Sequence, residues 1–169
     1  MYLNVGPQDA RAVANYFLDL AKTGGRTIDP MGIQKFVYFA HGWNLALNDR
    51  PLIAQRIEAW DYGPVIRDLY YEFKRFGNGP ITQPAMELNV EPGTTRVRFT
   101  KSELTSAVPK ETLSLLDRVW EVYRPFTSIQ LSNLTHTPGS PWSRARESGQ
   151  EVIDDGVIRD YFRSPAANR

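Results

Sequence analysis

The sequence predicts a mainly α-helical fold: a single compact domain of about seven helices around one buried central helix at 30–47, with a small β-hairpin near 86–100. Three observations lead there. Thr27 to Leu47 is apolar on nearly every side at helical spacing, as a buried helix must be. Most other segments show one apolar stripe at a period near 3.6, bracketed by capping residues. Two short alternating runs around Glu91-Pro92-Gly93-Thr94 have instead the period of two that marks a ribbon.

Residues 8–22 make an amphipathic helix, with Ala10, Val13, Phe17, Leu20 and Ala21 on one side and Gly24-Gly25 as its positive-φ stop. In the central helix Asp29 caps, Pro30 fits the first turn, and Ile28 with Ile33 forms a hydrophobic staple. Ile33, Phe36, Val37, Ala40, Trp43 and Leu47 make its main stripe, and Phe36, Val37, Ala40 and Trp43 are expected inside. Asn48-Asp49-Arg50-Pro51 turns the chain out.

Ile57 to Trp60 reads as extended. Tyr62-Gly63-Pro64 is a turn that starts the next helix, with Pro64 in its first position. Ile66, Leu69, Phe73 and Phe76 line that helix, and Gly77 closes it. Met86–Val90 and Arg96–Thr100 form the ribbon, which must lean on the helices because an isolated two-stranded ribbon is marginal in water. Pro109 to Tyr123 is a helix with Leu113, Leu116, Trp120 and Tyr123 in register. Thr127 and Gln130 form a capping box, with Phe126 and Leu131 as staple, for a helix reaching about His136. Ser140-Pro141-Trp142 opens a short helix, and Asp154 caps a last one ending at Tyr161-Phe162.

At 169 residues the chain has the usual length of one domain, taken as 1–169, and buries enough surface to need no staple. It has no Cys, which removes disulfides and thiolate metal sites and fits a reducing cytoplasm. Lys and Arg total 20 against 19 acids, so no global attraction to nucleic acid or an anionic membrane arises. No run approaches a membrane span, and no secretory core is present. No second domain is expected after Arg169, and hence no separate DNA-binding module. Aromatics at 12% are generous for such a chain; core filling is the first explanation, and an exposed surplus at an interface is the alternative.

Catalytic patterns are missing. Only His41 and His136 exist; His41 lies in the buried helix as a hydrogen-bonded core residue, and His136 caps a helix C-terminus, where the dipole favours a cation. No His pair has metal-ligand spacing, no Ser sits in a nucleophile elbow, and no Gly-rich loop follows a strand. No catalytic residue, cofactor or metal is therefore expected. Residues 109–123 and 127–136 have the outline of a helix-turn-helix, but Ser128 to Thr135 carries no Arg or Lys for bases or phosphates, so no specific nucleic-acid partner is expected.

Several phrases resemble one family. They are Gln34-Lys35 with Val37-Tyr38-Phe39-Ala40-His41-Gly42-Trp43, Glu58-Ala59-Trp60 with Tyr62-Gly63-Pro64-Val65, and Leu134-Thr135-His136 with Pro141-Trp142. Together they are similar to the Panacea, or antitoxin SocA-like, domain, over about residues 8 to 163. The resemblance implies a cytoplasmic bacterial or phage antitoxin, phage-associated and serving phage defence, with a cognate protein toxin as partner and no catalytic residues. It also implies that neighbouring toxins differ widely, from alarmone-synthetase-like enzymes acting on tRNA to small membrane-active peptides. Two alternatives remain: an adaptor delivering its toxin to a protease, and a DNA-binding autoregulator. Neither the toxin nor the oligomeric state follows from the sequence.

The partner is expected to dock where Trp60 and Tyr62 project from a turn and the helix behind carries Arg67, Tyr70, Tyr71 and Lys74 off its apolar stripe. Trp, Tyr and Arg dominate binding hot spots because they bury much area and keep a polar handle. The rival reading makes Trp60 and Tyr62 core residues that hold the turn.

Overall fold

The computed structural model describes residues 5–168; positions 1–4 and 169, the outermost of the expected single domain, lie outside the described residues. Seven α-helices occur in order: α1 Ala10–Thr23, α2 Pro30–Asn48, α3 Arg67–Phe73, α4 Lys110–Tyr123, α5 Ser128–Thr135, α6 Pro141–Glu147 and α7 Asp155–Arg163. Two antiparallel pairs accompany them, β1 Glu58–Trp60 with β2 Gly63–Val65, and β3 Met86–Val90 with β4 Val97–Lys101. Single 3₁₀ turns at Lys74–Phe76 and Pro165–Asn168 complete the described chain.

Helix α2 is the pillar, touching α1, α3, α4, α5 and α7. Asp29 accepts from the Gly32 amide at 2.7 Å, and Ile28 and Ile33 are both buried at the staple positions. Phe36, Val37 and Ala40 lie inside as expected. Trp43 does not: it is half-buried, edge-on to Phe162 with its indole N–H donating to the Tyr123 hydroxyl at 3.0 Å. Leu47 is 68% exposed, at the mouth of a cleft beside the last turn of α2. Gly42 is needed for contact: a Cβ there would stand 2.3 Å from the Phe162 ring, so α7 can approach the α2 backbone only at glycine.

Three further expectations change. Helix α1 begins at Ala10 because Gln8 pairs in extended form with Ile53 and Asp9 caps, accepting from the Arg11 amide at 2.8 Å. Only Gly25 of the glycine pair takes positive φ, at 66°. Pro64 is not the first residue of a helix. It pairs with Ala59 in β2, and α3 starts at Arg67, since Asp61-Tyr62 close a tight hairpin instead.

The ribbon β3–β4 forms one residue later on its second strand than expected, yet it does not lean on the helices. Its root alone is fastened, by an ion pair from Lys101 to Asp19 on α1 and by a buried clasp. The buried Asn15 side chain donates to the carbonyls of Ala85 and Ser102 and accepts from the Ala85 amide, all within 2.9 Å. Beyond that clasp, Leu88, Val90, Val97 and Phe99 share one face and stay exposed. Leu113 in α4 is half-buried while Leu115 and Val119 point inward. The capping box at Thr127 and Gln130 is formed in both directions, with Leu131 buried and Phe126 at the surface.

Candidate functional site

The three phrases that carry the family resemblance meet at the β1–β2 hairpin. A hairpin of three-residue strands cannot hold itself, so its carbonyls must find partners elsewhere. Gln34 on α2 does so at the hairpin's exit: its amide accepts from Ile66 N at 2.8 Å and donates to Ile66 O at 3.0 Å. The buried Lys35 ammonium donates to Pro64 O at 3.1 Å and to Tyr62 O at 3.4 Å. From α6, the Trp142 indole donates to Trp60 O at 2.7 Å, and Arg146 reaches Ala59 O at 3.2 Å and the Asp61 carboxylate at 2.8 Å. The segment before α7 pairs with β1 through Ala59 N to Glu151 O and Ile153 N to Ile57 O. The hairpin is thus held from both sides, and at its turn the Tyr62 side chain is left exposed.

Gly63 makes this clasp possible. Its φ is 112°, a region that L side chains avoid, and a Cβ there would lie 2.7 Å from Lys35 Nζ and 3.1 Å from His136 Cε1. Lys35 has only carbonyls as partners, and burial lowers its pKa to about 8.

Most of the expected docking residues adjoin one another around the hairpin and α3. Tyr62 at the tip is 80% exposed. Trp60 is half-buried, with Tyr70 edge-on at 4.9 Å between ring centres. Tyr71 follows at 5.4 Å from Tyr70, and Lys74 Nζ lies 4.8 Å above the Tyr71 ring. Arg67 forms a forked pair with Glu58 at 3.0 to 3.3 Å, and the Trp60 indole donates to the same carboxylate at 2.7 Å. Burial pushes the Glu58 carboxyl up, but the hydrogen bonds from Arg67 and Trp60 outweigh it and hold it below its ordinary value. Arg67 and Trp60 therefore belong to the frame as well as to the surface, whereas the side chains of Tyr62, Tyr71 and Lys74 make no framework hydrogen bond among the described residues.

Both histidines are held by hydrogen bonds within the fold. His41 is buried; its Nδ1 faces the amides of Leu52 and Ile53 at 3.3 and 3.4 Å, so its Nε2–H donates to Asp155 at 2.9 Å. His136 caps α5, donating from Nδ1 to Ser132 O at 2.6 Å with its ring 4.1 Å from Trp142. Tyr38 is buried with Phe162 edge-on, and Pro141 starts α6. Among the described residues no group of His, Cys, Asp or Glu could hold a metal ion, and no helix is long and apolar enough to cross a membrane.

Sequence reasoning missed the Glu58–Arg67 and Asp61–Arg146 pairs, which no local spacing rule signals. It also missed a cleft of about 720 Å³ over the seam of α2, α4 and α7. Leu47, read as part of the core-facing stripe, lies instead at its mouth.

Residues 33–143 match the Antitoxin SocA-like, Panacea domain family. The chain is similar to Antitoxin SocA of Caulobacter vibrioides (strain NA1000 / CB15N), at 32% identity over 161 residues, covering 92% of this chain and 82% of that protein. No solved structure matches the chain.

Proposed function

This chain belongs to the antitoxin SocA-like, Panacea domain family, and we propose that it is the antitoxin of a toxin–antitoxin pair, neutralising a cognate protein toxin by direct binding. The observation that carries the binding half of this reading is the face built on Tyr62, Tyr70, Tyr71 and Lys74. Aromatic and cationic groups stand exposed there, Tyr62 on the clasped hairpin and Tyr70, Tyr71 and Lys74 on α3 and the turn that follows it. A pre-organised aromatic surface loses little side-chain entropy on association, which favours tight binding. Trp60 and Arg67 set the spacing of this face from behind.

The partner follows from the family: a protein encoded beside the antitoxin. Its expression alone should arrest growth, and co-expression of this chain should restore it. Rescue with a stoichiometric complex on gel filtration is the expected result. Rescue with falling toxin levels and no stable complex would replace blocking by delivery to a protease. Failure to rescue any neighbouring gene product would remove the antitoxin reading.

A further inference from the structure

We propose that the cleft over α2, α4 and α7 receives an amphipathic helix of a protein partner, with apolar side chains on one face and an Asp or Glu set against Arg118. This goes beyond the antitoxin reading and involves a different face from the hairpin. The cleft is built from the inside out. Phe39 and Tyr123 stack at 4.2 Å with 5° between their planes, and Phe162 closes the floor edge-on to Trp43. All four of those rings are packed or hydrogen-bonded into the core, so the floor is pre-formed.

The size and lip of the cleft select the occupant. Along α2 it runs from Tyr38 to Leu47, about 14 Å at 1.5 Å per residue, which matches two and a half turns of a helix. The lip residues Leu47, Val122 and Phe126 are apolar and exposed. An enclosed small ligand would leave that lip in water, whereas a helix anchored at i, i+3 or i+4, and i+7 covers floor and lip together.

Charge selects the rest. Arg118 lines the cleft one helical turn before Val122, on the same face. Its acidic neighbours are already engaged: Asp117 accepts from the Tyr16 hydroxyl at 2.7 Å, and Glu121 pairs with Arg124 at 3.1 Å. Among the described residues Arg118 has no ion-pair partner. It is therefore the cation that an acidic side chain on the incoming helix would meet.

The test is a display selection. A library of helical 14-residue peptides with one randomised face is enriched on the full chain and then titrated against Leu47→Glu/Val122→Glu and Arg118→Glu. All three positions are exposed, and thermal melts check that each variant stays folded. The expected outcome is enrichment of peptides with three spaced apolar anchors and an Asp or Glu. Their affinity should fall at least tenfold on Leu47→Glu/Val122→Glu, and Arg118→Glu should switch the selection toward Lys or Arg. Failure to enrich, absence of an acidic preference, or equal binding to the double variant overturns the proposal. So does a wild-type dimer that the same double variant dissolves, which would give the cleft to a second copy.

Discussion

Lys35 is a cation buried among carbonyls, and it has a measurable signature. In the unfolded chain its ammonium keeps its proton to about pH 10.5, while in the fold burial brings release down to about pH 8. Between those values the unfolded state binds more protons, so stability rises with pH through that window. Below pH 8 the full penalty of holding the buried charge is present. Urea melts of wild type and Lys35→Met at pH 7.5 and pH 10 isolate this group, because other titrations cancel in the difference. Wild type should gain on the order of 2 kcal/mol relative to the variant; a pH-independent difference would mean the ammonium is not desolvated. Gly63→Ala is the companion test. Positive φ and the 2.7 Å approach to Lys35 Nζ act together, so about 2–4 kcal/mol should be lost. A loss under about 1 kcal/mol would show that the hairpin is not held as described. At this scale the sequence was legible where chemistry is local, as at Asp29, the Thr127–Gln130 box and the helix-end position of His136. Lys35 was not, because its carbonyl partners lie 27 and 29 residues away.

The ribbon β3–β4 shows how an element can be read correctly and placed wrongly. Alternation and the Pro92-Gly93 turn reveal its strands, and marginal ribbon stability argues for support from helices. The support comes at the root, where Asn15 clasps Ala85 and Ser102 and Lys101 pairs with Asp19 on α1. A marginal ribbon does need support, and a buried side-chain clasp supplies it as a packed face would. Replacing residues 86–101 by a short Gly-Ser link should therefore leave the melting temperature within about 5 °C of wild type. A larger drop would mean that the ribbon supports the helical body. Asn15→Ala should be worse than that deletion, because it leaves buried backbone groups at Ala85 and Ser102 unpaired and removes about 2 kcal/mol or more. Helix α3 was misread at its start for a related reason. Pro64 suits a first helical turn and an edge strand equally, and only the Ala59 pairing decides between them.

Across the whole molecule, one helix organises both the fold and the face it presents. α2 buries most of its circumference, and its neighbours Gln34 and Lys35 reach out to fix the hairpin that carries Tyr62. The phrases scattered along the sequence turn out to be one contact set, which explains their spacing: Gln34 and Lys35 serve the hairpin carbonyls from one side, Trp142 and Arg146 from the other. Direct binding through the resulting face is the central claim. Calorimetric titration of the adjacent gene's product into wild type and into Tyr62→Ala/Tyr71→Ala tests it, since neither side chain holds a framework hydrogen bond. The affinity should fall by about 2 kcal/mol or more, roughly thirtyfold, with the melting temperature nearly unchanged. An unaltered dissociation constant in a folded double variant would contradict the account.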